Sequence, residues 1–371
     1  MTKKLVIKIG SSTLTTPEGK ADFAFLETVA AQIAHVKAAG WQPVIVTSAA
    51  IACGLEALGI SERPTDMPSL QAAASVGQNA LATAYAEAFA EYGVITSLVL
   101  LTRRETADRK SYLHARDTFA RLLELDVIPI VNENDTVSVE QIRFGDNDTL
   151  AALVACLIGA DLVMVLSDID GLFDANPHEC PDARLIPRVE FIDEELMGHA
   201  GSTGTKVGSG GMVTKITAAR VLMVAGIEMV ICNGRRPGVI ADVVAGKDIG
   251  TRFIAAAKPH EITPKKLWIA LGDTVKGALV VDAGAKKALV AQGGSLLGVG
   301  VVHVEGTFDQ GDIIDVQDRN GHLFARGKAS AASNELRVSC SLLRKASQAG
   351  SHEDSLSNKP VIHRDDLVIF E

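Results

Sequence analysis

Short apolar, β-branched runs alternate over the first two-thirds of the chain with longer stretches in which Ala, Leu and Val recur on a helical period. Leu5–Ile9, Pro43–Thr47, Ile95–Leu101, Val127–Asn132, Leu162–Ser167 and Glu228–Ile231 predict strands, being short and rich in β-branched residues. Asp22–Ala39, Leu70–Glu91, Thr149–Ile158 and Val213–Ala225 predict helices, with Gly40 and Gly93 just beyond the first two. Strands that lack an alternating polar face must be covered on both sides. The order therefore predicts an α/β fold, a mainly parallel sheet sandwiched by helices. Ligands of such sheets bind beyond the carboxyl ends of the strands.

Past Pro264 the texture changes to short apolar runs punctuated by glycine, which predicts a small all-β barrel. Ala346–Asn358 (ASQAGSHEDSLSN) is polar and reads as loop, ahead of a last apolar strand at Asp366–Phe370. Charge shifts at the same place. Met1 to Pro264 carries 23 basic and 32 acidic residues, whereas Lys265 to Glu371 carries 13 of each. A chain of 371 residues has room for two domains, and the expected division is residues 1–258, a linker at 259–265, and residues 266–371.

Composition narrows the class. At 47% hydrophobic and 22% charged, the chain reads as an ordinary globular protein, and a net charge of −9 argues against a surface given over to nucleic acid. The five cysteines are widely spaced with no CxxC pair, so neither a disulfide framework nor a zinc site is indicated and a reducing cytoplasm fits best. The opening MTKKLVIKIG has too short an apolar run for a signal peptide. The longest such run, Leu150–Ala160, falls well short of the roughly 20 residues a membrane span needs.

The polar motifs cluster just after predicted strands. Lys8 lies within an apolar strand and is followed by Gly10, Ser11 and Ser12, whose backbone N–H groups suit phosphate oxygens. Alone, it reads equally well as an edge lysine reaching to water. Thr47-Ser48-Ala49-Ala50 opens a helix with small residues that let a ligand approach the backbone, although a plain capped turn accounts for it too. Asn132-Glu133-Asn134-Asp135 and Gly145-Asp146-Asn147-Asp148-Thr149 put two dense polar clusters between one strand and one helix, more than turn and cap chemistry needs. Ser167-Asp168 follows another strand. The loop Ser209-Gly210-Gly211-Met212-Val213-Thr214 leads into a helix bearing Lys215 in its first turn; it is no Walker A loop but shares the logic of amide nests and a point charge. His363-Arg364-Asp365 lacks the rest of a protein-kinase catalytic apparatus, and the His178/Cys180 pair lacks further metal ligands.

Taken together, KIGSSTLT, VTSAAIACG, VNENDTV, FGDNDTLAA, LSDIDGLF and GTKVGSGGMVTK resemble the amino acid kinase family, and the C-terminal region with GGSLLGVGV and HRDDLV resembles a PUA domain. The resemblance implies an amino acid kinase fold with a PUA-like β-barrel. The implied activity is transfer of phosphate from ATP, with Mg²⁺, to the γ-carboxylate of L-glutamate, giving L-glutamyl 5-phosphate in the first step of proline biosynthesis. It implies Lys8, Lys215 and Asp148 as catalytic residues, with Asp148 holding the lysines. It implies ATP contacts at Lys8, Gly10, Ser11, Ser167, Asp168, Ser209, Gly210, Gly211, Met212, Val213, Thr214 and Lys215, glutamate contacts at Ser48, Ala49, Asn132, Asp135, Asp146 and Asn147, and no resident metal site. Further expectations are proline feedback, a homodimer or homotetramer, hand-off to a glutamyl phosphate reductase, cytoplasmic location, no membrane and no RNA partner. One departure is visible. Ala49 and Ala50 stand where the family motif reads Gly-Ala, so a left-handed backbone at the first position would be strained. Acceptors such as N-acetylglutamate, aspartate, carbamate or a nucleotide stay open on the residues alone.

Overall fold

The computed structural model describes residues 2–102, 108–137, 147–177, 179–201, 211–256, 263–271, 275–348 and 360–371. The chain divides into two compact units, Met1–Glu261 and Ile262–Glu371.

In the first unit, β1 (Lys3–Ile9), β2 (Trp41–Val46), β3 (Thr96–Leu101), β4 (Ile128–Glu133), β5 (Leu162–Ser167), β6 (Arg188–Val189), β7 (Glu228–Asn233) and β8 (Thr251–Phe253) form one sheet in the order β3-β4-β2-β1-β5-β7-β8-β6. The pairings are parallel except for β7 with β8. The accompanying helices are α1 (Ser11–Leu14), α2 (Phe23–Ala38), α3 (Ala50–Ala57), α4 (Met67–Ala90), α5 (Arg109–Glu124), α6 (Asn147–Ile158), α7 (Glu194–Gly201), α8 (Met212–Val224) and α9 (Val239–Val244). Side chains of β1, β2 and β5 are buried on both faces, which is why those strands read as unbroken apolar runs.

The chain leaves β1 for β2 and the β4–β3 side of the sheet, then returns to β5 on the other flank of β1. Such a reversal opens a crevice at the carboxyl ends of the central strands. Lys8 reaches this rim, opposite Val46 on one side and Val165 on the other.

Local chemistry sets the helix ends. Asp22, Asp66 and Asp108 accept hydrogen bonds from the backbone N–H groups of Phe25, Ser69 and Ser111, capping α2, α4 and α5. The segment of α5, absent from the sequence-based prediction, is mostly polar and buries Tyr112, Phe119 and Leu123. α3 and α4 approach backbone to backbone. A Cβ on Gly54 would lie 1.8 Å from the Ala73 carbonyl oxygen, and one on Gly77 1.8 Å from that of Ala50. Only glycine fits at either crossing point.

In the second unit, β9 (Gly277–Val281), β11 (Val301–Gly306), β12 (Ile313–Gln317), β13 (Leu323–Lys328) and β15 (Leu367–Ile369) form a sheet in the order β11-β9-β12-β13-β15, while β10 (Leu296–Leu297) pairs with β14 (Pro360–Ile362). It is β-rich but not all-β: α10 (Pro264–Ala270), α11 (Ala283–Gln292) and α12 (Ser333–Gln348) correct that expectation. Glycine density misled. Gly284 lies inside α11, which Asp282 caps, and Gly293 ends it at φ +62. The expected loop at Ala346–Asn358 begins within α12, since Ala346, Ser347 and Gln348 are helical; its remainder lies outside the described residues. Leu279, Val281, Ile314, Val316 and Phe324 centre this unit's core.

Candidate active site

Three charged side chains meet below the carboxyl rim of the first unit's sheet. Lys8 arrives on β1, Asp148 on the first turn of α6 and Lys215 on the first turn of α8, all less than a tenth exposed. Lys8 Nζ lies 2.6 Å from Asp148 Oδ1 and Lys215 Nζ lies 3.0 Å from Asp148 Oδ2. Thr214 Oγ1 donates to the same Oδ2 at 3.1 Å. Burial works against the Asp148 charge, yet Lys215 and then Lys8 outweigh it and hold the carboxyl well below the usual carboxylate range. Within this trio two ammonium groups face one carboxylate, a formal charge of +1 in a desolvated setting suited to an anion.

The adjacent residue turns the other way. Asn147 Nδ2 donates to the Thr47 carbonyl oxygen, to Ser48 Oγ at 3.1 Å and to Asn132 Oδ1 at 2.9 Å. Asn132 also accepts from the Glu133 backbone N–H at 2.9 Å, and its Nδ2 donates to Gln78 Oε1 at 2.8 Å. One helical turn thus places Asp148 with the two lysines and Asn147 with the ends of β2 and β4. The charged trio and the carboxamide cluster are neighbours because of it.

Around this pair of clusters the structure distributes the other candidates. The Gly10 N–H donates to the Leu166 carbonyl oxygen, and a Cβ on Gly10 would lie 3.7 Å from Lys8 Nζ, so the turn after β1 borders the ammonium group. Ser11 is exposed. At the end of β5, buried Ser167 donates from Oγ to exposed Asp168 at 3.1 Å. Gly211 caps α8 with no side-chain partner, Met212 is buried and Val213 is exposed. Ala49 adopts φ +73, ψ +9 at the start of α3, the left-handed backbone that the Gly-to-Ala departure makes costly. Half-buried Asp135 has its carboxyl pushed up to about 6 by burial. Asp146, Ser209 and Gly210 lie outside the described residues.

Sequence reasoning missed Gln78, Tyr85 and Arg235. Gln78 is a lone polar residue on the buried face of an Ala-rich helix, and Tyr85 of that helix hydrogen-bonds Thr47 Oγ1 at 2.9 Å. Arg235 donates from Nη2 to the carbonyl oxygens of Thr13 and Thr15 and to Asp22 Oδ2, tying down the segment after β1. No local pattern marks any of the three, since each partner is remote in sequence.

A sheet with its reversal beside β1, and two lysines converging there on one carboxylate, define a protein that handles phosphate groups on an α/β scaffold. This chain belongs to the amino acid kinase family, which residues 3–233 match, while residues 277–342 match the PUA domain. Over nearly its full length it is similar to glutamate 5-kinases. It is 45% identical over 371 residues to that of Caldanaerobacter subterraneus subsp. tengcongensis, covering 99% of this chain and 98% of the relative. It is 44% identical over 373 residues to that of Carboxydothermus hydrogenoformans, covering 100% and 98%. The solved structure of carbamate kinase from Giardia lamblia bound to AMP-PNP superposes with a TM-score of 0.50 at 18% identity, covering 68% of this chain and 98% of that one, a likeness of fold.

Proposed function

We propose that the chain transfers the γ-phosphoryl group of ATP to the γ-carboxylate of L-glutamate, forming L-glutamyl 5-phosphate, the first step of proline biosynthesis. The observation that carries this reading is the shared Asp148 carboxylate, which gathers Lys8 and Lys215 beside the Asn147 cluster.

The acceptor needs no general base. A γ-carboxyl with pKa near ~4.3 is ionised at neutral pH, so the obstacle is repulsion between two anions. Lys8 and Lys215 bracket the β- and γ-phosphates and lower that repulsion as charge moves toward the leaving group. Asp148, held ionised, aims the two ammonium groups and takes no proton. Gly10, Ser11, Ser167, Asp168 and the segment from Ser209 to Thr214 receive the nucleotide. Ser48, Ala49, Asn132, Asp135, Asp146 and Asn147 receive glutamate, with Asp135 opposite its ammonium group.

Among the described residues no group of three or more His, Cys, Asp or Glu side chains is placed to hold a metal ion, and Asp148 is committed to the lysines. These residues do not make a magnesium cage. Magnesium accompanies the nucleotide as part of the substrate.

Residues 1–258 form the catalytic domain and 266–371 the PUA-like one, joined at 259–265. The protein works in the cytoplasm as a homodimer or homotetramer, is inhibited by proline at or beside the glutamate pocket, and passes its acyl phosphate to a glutamyl phosphate reductase. No helix among the described residues is long and apolar enough to cross a membrane. Trapping with hydroxylamine tests the reaction. A glutamyl hydroxamate that requires both ATP and glutamate supports it, and a hydroxamate formed only from another acid rejects it.

A further inference from the structure

α4 buries Ala74, Gly77, Gln78, Leu81 and Tyr85 along one face, and Gln78 is the carboxamide in that apolar stripe. Gly77 beside it is packed against the Ala50 carbonyl oxygen, so the α4 backbone passes next to the turn that follows Ser48. Gln78 therefore stands at the carboxyl rim, between the start of α3 and the end of β4.

Its two ends are treated differently. Oε1 accepts from Asn132 Nδ2 at 2.8 Å, whereas Nε2 is fully buried with no hydrogen-bond partner. A buried N–H pair without an acceptor is costly, and in a native protein such a group calls for a functional role or for a ligand, ion or ordered water that completes it. Much of the neighbouring donor capacity is already engaged. Asn147 Nδ2 serves three oxygens, and Asn132 Nδ2 serves Gln78 itself. A substrate carboxylate entering this cluster needs donors, and Nε2 of Gln78 supplies one.

Resting on the proposed glutamate kinase reading, we propose that Gln78 is a further substrate-binding residue. Its Nε2 donates to a carboxylate oxygen of the amino-acid substrate, while its Oε1 fixes the Asn132 carboxamide so that Asn132 Oδ1 faces Asn147. The Oε1 contact sets the Asn132 orientation, because a reversed carboxamide would face Asn147 Nδ2 with a second donor.

The test compares Gln78→Glu and Gln78→Met with the wild type in the hydroxamate assay, varying glutamate and ATP separately. Gln78→Glu keeps an acceptor for Asn132 but sets an anion against the substrate carboxylate, and Gln78→Met removes both polar ends at similar volume. Expected are rises in the glutamate KM of at least about tenfold in each, larger in Gln78→Glu, with the ATP KM within about twofold. Thermal shift provides a second readout: at one fixed glutamate concentration the midpoint rises less in either variant than in the wild type, whereas ATP raises it alike in all three. A glutamate KM within twofold of wild type in both variants overturns the assignment, as does a parallel rise in both KM values. A wild type that forms no hydroxamate from glutamate overturns the functional reading and this assignment with it. An active wild type with unaltered variants overturns the assignment alone.

Discussion

Asp148→Asn isolates the positioning of the lysines from any proton transfer. The substitution keeps the volume and removes one charge, leaving two ammonium groups that had shared a carboxylate at 2.6 Å and 3.0 Å. With the nitrogens on the order of 5 Å apart, their repulsion at an effective dielectric of about 20 is ~3 kcal/mol. That figure agrees with the roughly 3–5 kcal/mol found when one partner of a buried ion pair is removed. For a domain of this size it corresponds to a melting-point drop of roughly 6 to 12 °C. Because the phosphates of ATP replace the missing anion, ATP should recover more of the midpoint in the variant than it adds to the wild type. Turnover should fall about 100-fold or more as the ammonium groups move off the transferring phosphoryl. The assay is hydroxamate formation from pH 6 to 9, together with thermal melts with and without ATP. If Asp148 accepts a proton in the reaction, raising the pH will restore the variant's rate. Such a recovery would refute the positioning role, because a carboxyl held this far below its usual range is a poor base.

Three further outcomes follow from named contacts. Ala49→Gly relieves a left-handed alanine worth roughly 1–2 kcal/mol, offset by about 0.4–1 kcal/mol of added freedom in the unfolded chain, so chemical denaturation should show a gain of at most about 1.6 kcal/mol. A loss of stability would contradict the backbone assignment. Asp135 has its free-state pKa raised to about 6, and a substrate ammonium favours its ionised form. The glutamate KM should therefore climb as pH falls through 6, a window in which glutamate's own γ-carboxyl stays ionised, and Asp135→Asn should flatten that limb. Sign also fixes stability: a raised carboxyl pKa disfavours the ionised native form above pH 6, so Asp135→Asn without ligand should melt higher at pH 7.5. Gly77→Ala drives a methyl to 1.8 Å from the Ala50 carbonyl oxygen, and forcing α3 and α4 apart should cost about 3 kcal/mol in urea melts. A wild-type urea midpoint would mean that the two helices are not in backbone contact.

The clearest elements in the sequence were those whose signal is local. β5 was placed residue for residue because Leu162–Ser167 is apolar on both faces and bounded by polar neighbours. α5 was missed because its buried contacts amount to Tyr112, Phe119 and Leu123 in an otherwise polar segment, too sparse to stand out. β6 and β8, of two and three residues, exist through partners supplied by the sheet. The glycines of the second unit misled for a related reason. A glycine that ends a helix and one that turns a hairpin look alike until the neighbouring hydrogen bonds are known, as Gly293 illustrates.

Sequence alone determined the alternation of strands and helices, the change of texture near Pro264, and the polar motifs at strand ends, because each depends on residues within a turn or two of one another. Tertiary structure decided which of those motifs share a site. Lys8 and Lys215 are 207 positions apart in the numbering, and only the return of the chain to β5 beside β1 lets a single carboxylate on α6 hold both. Gln78 joins the carboxamide cluster for the same reason. Its partner Asn132 is 54 residues away, reached because two glycines let α4 settle against α3.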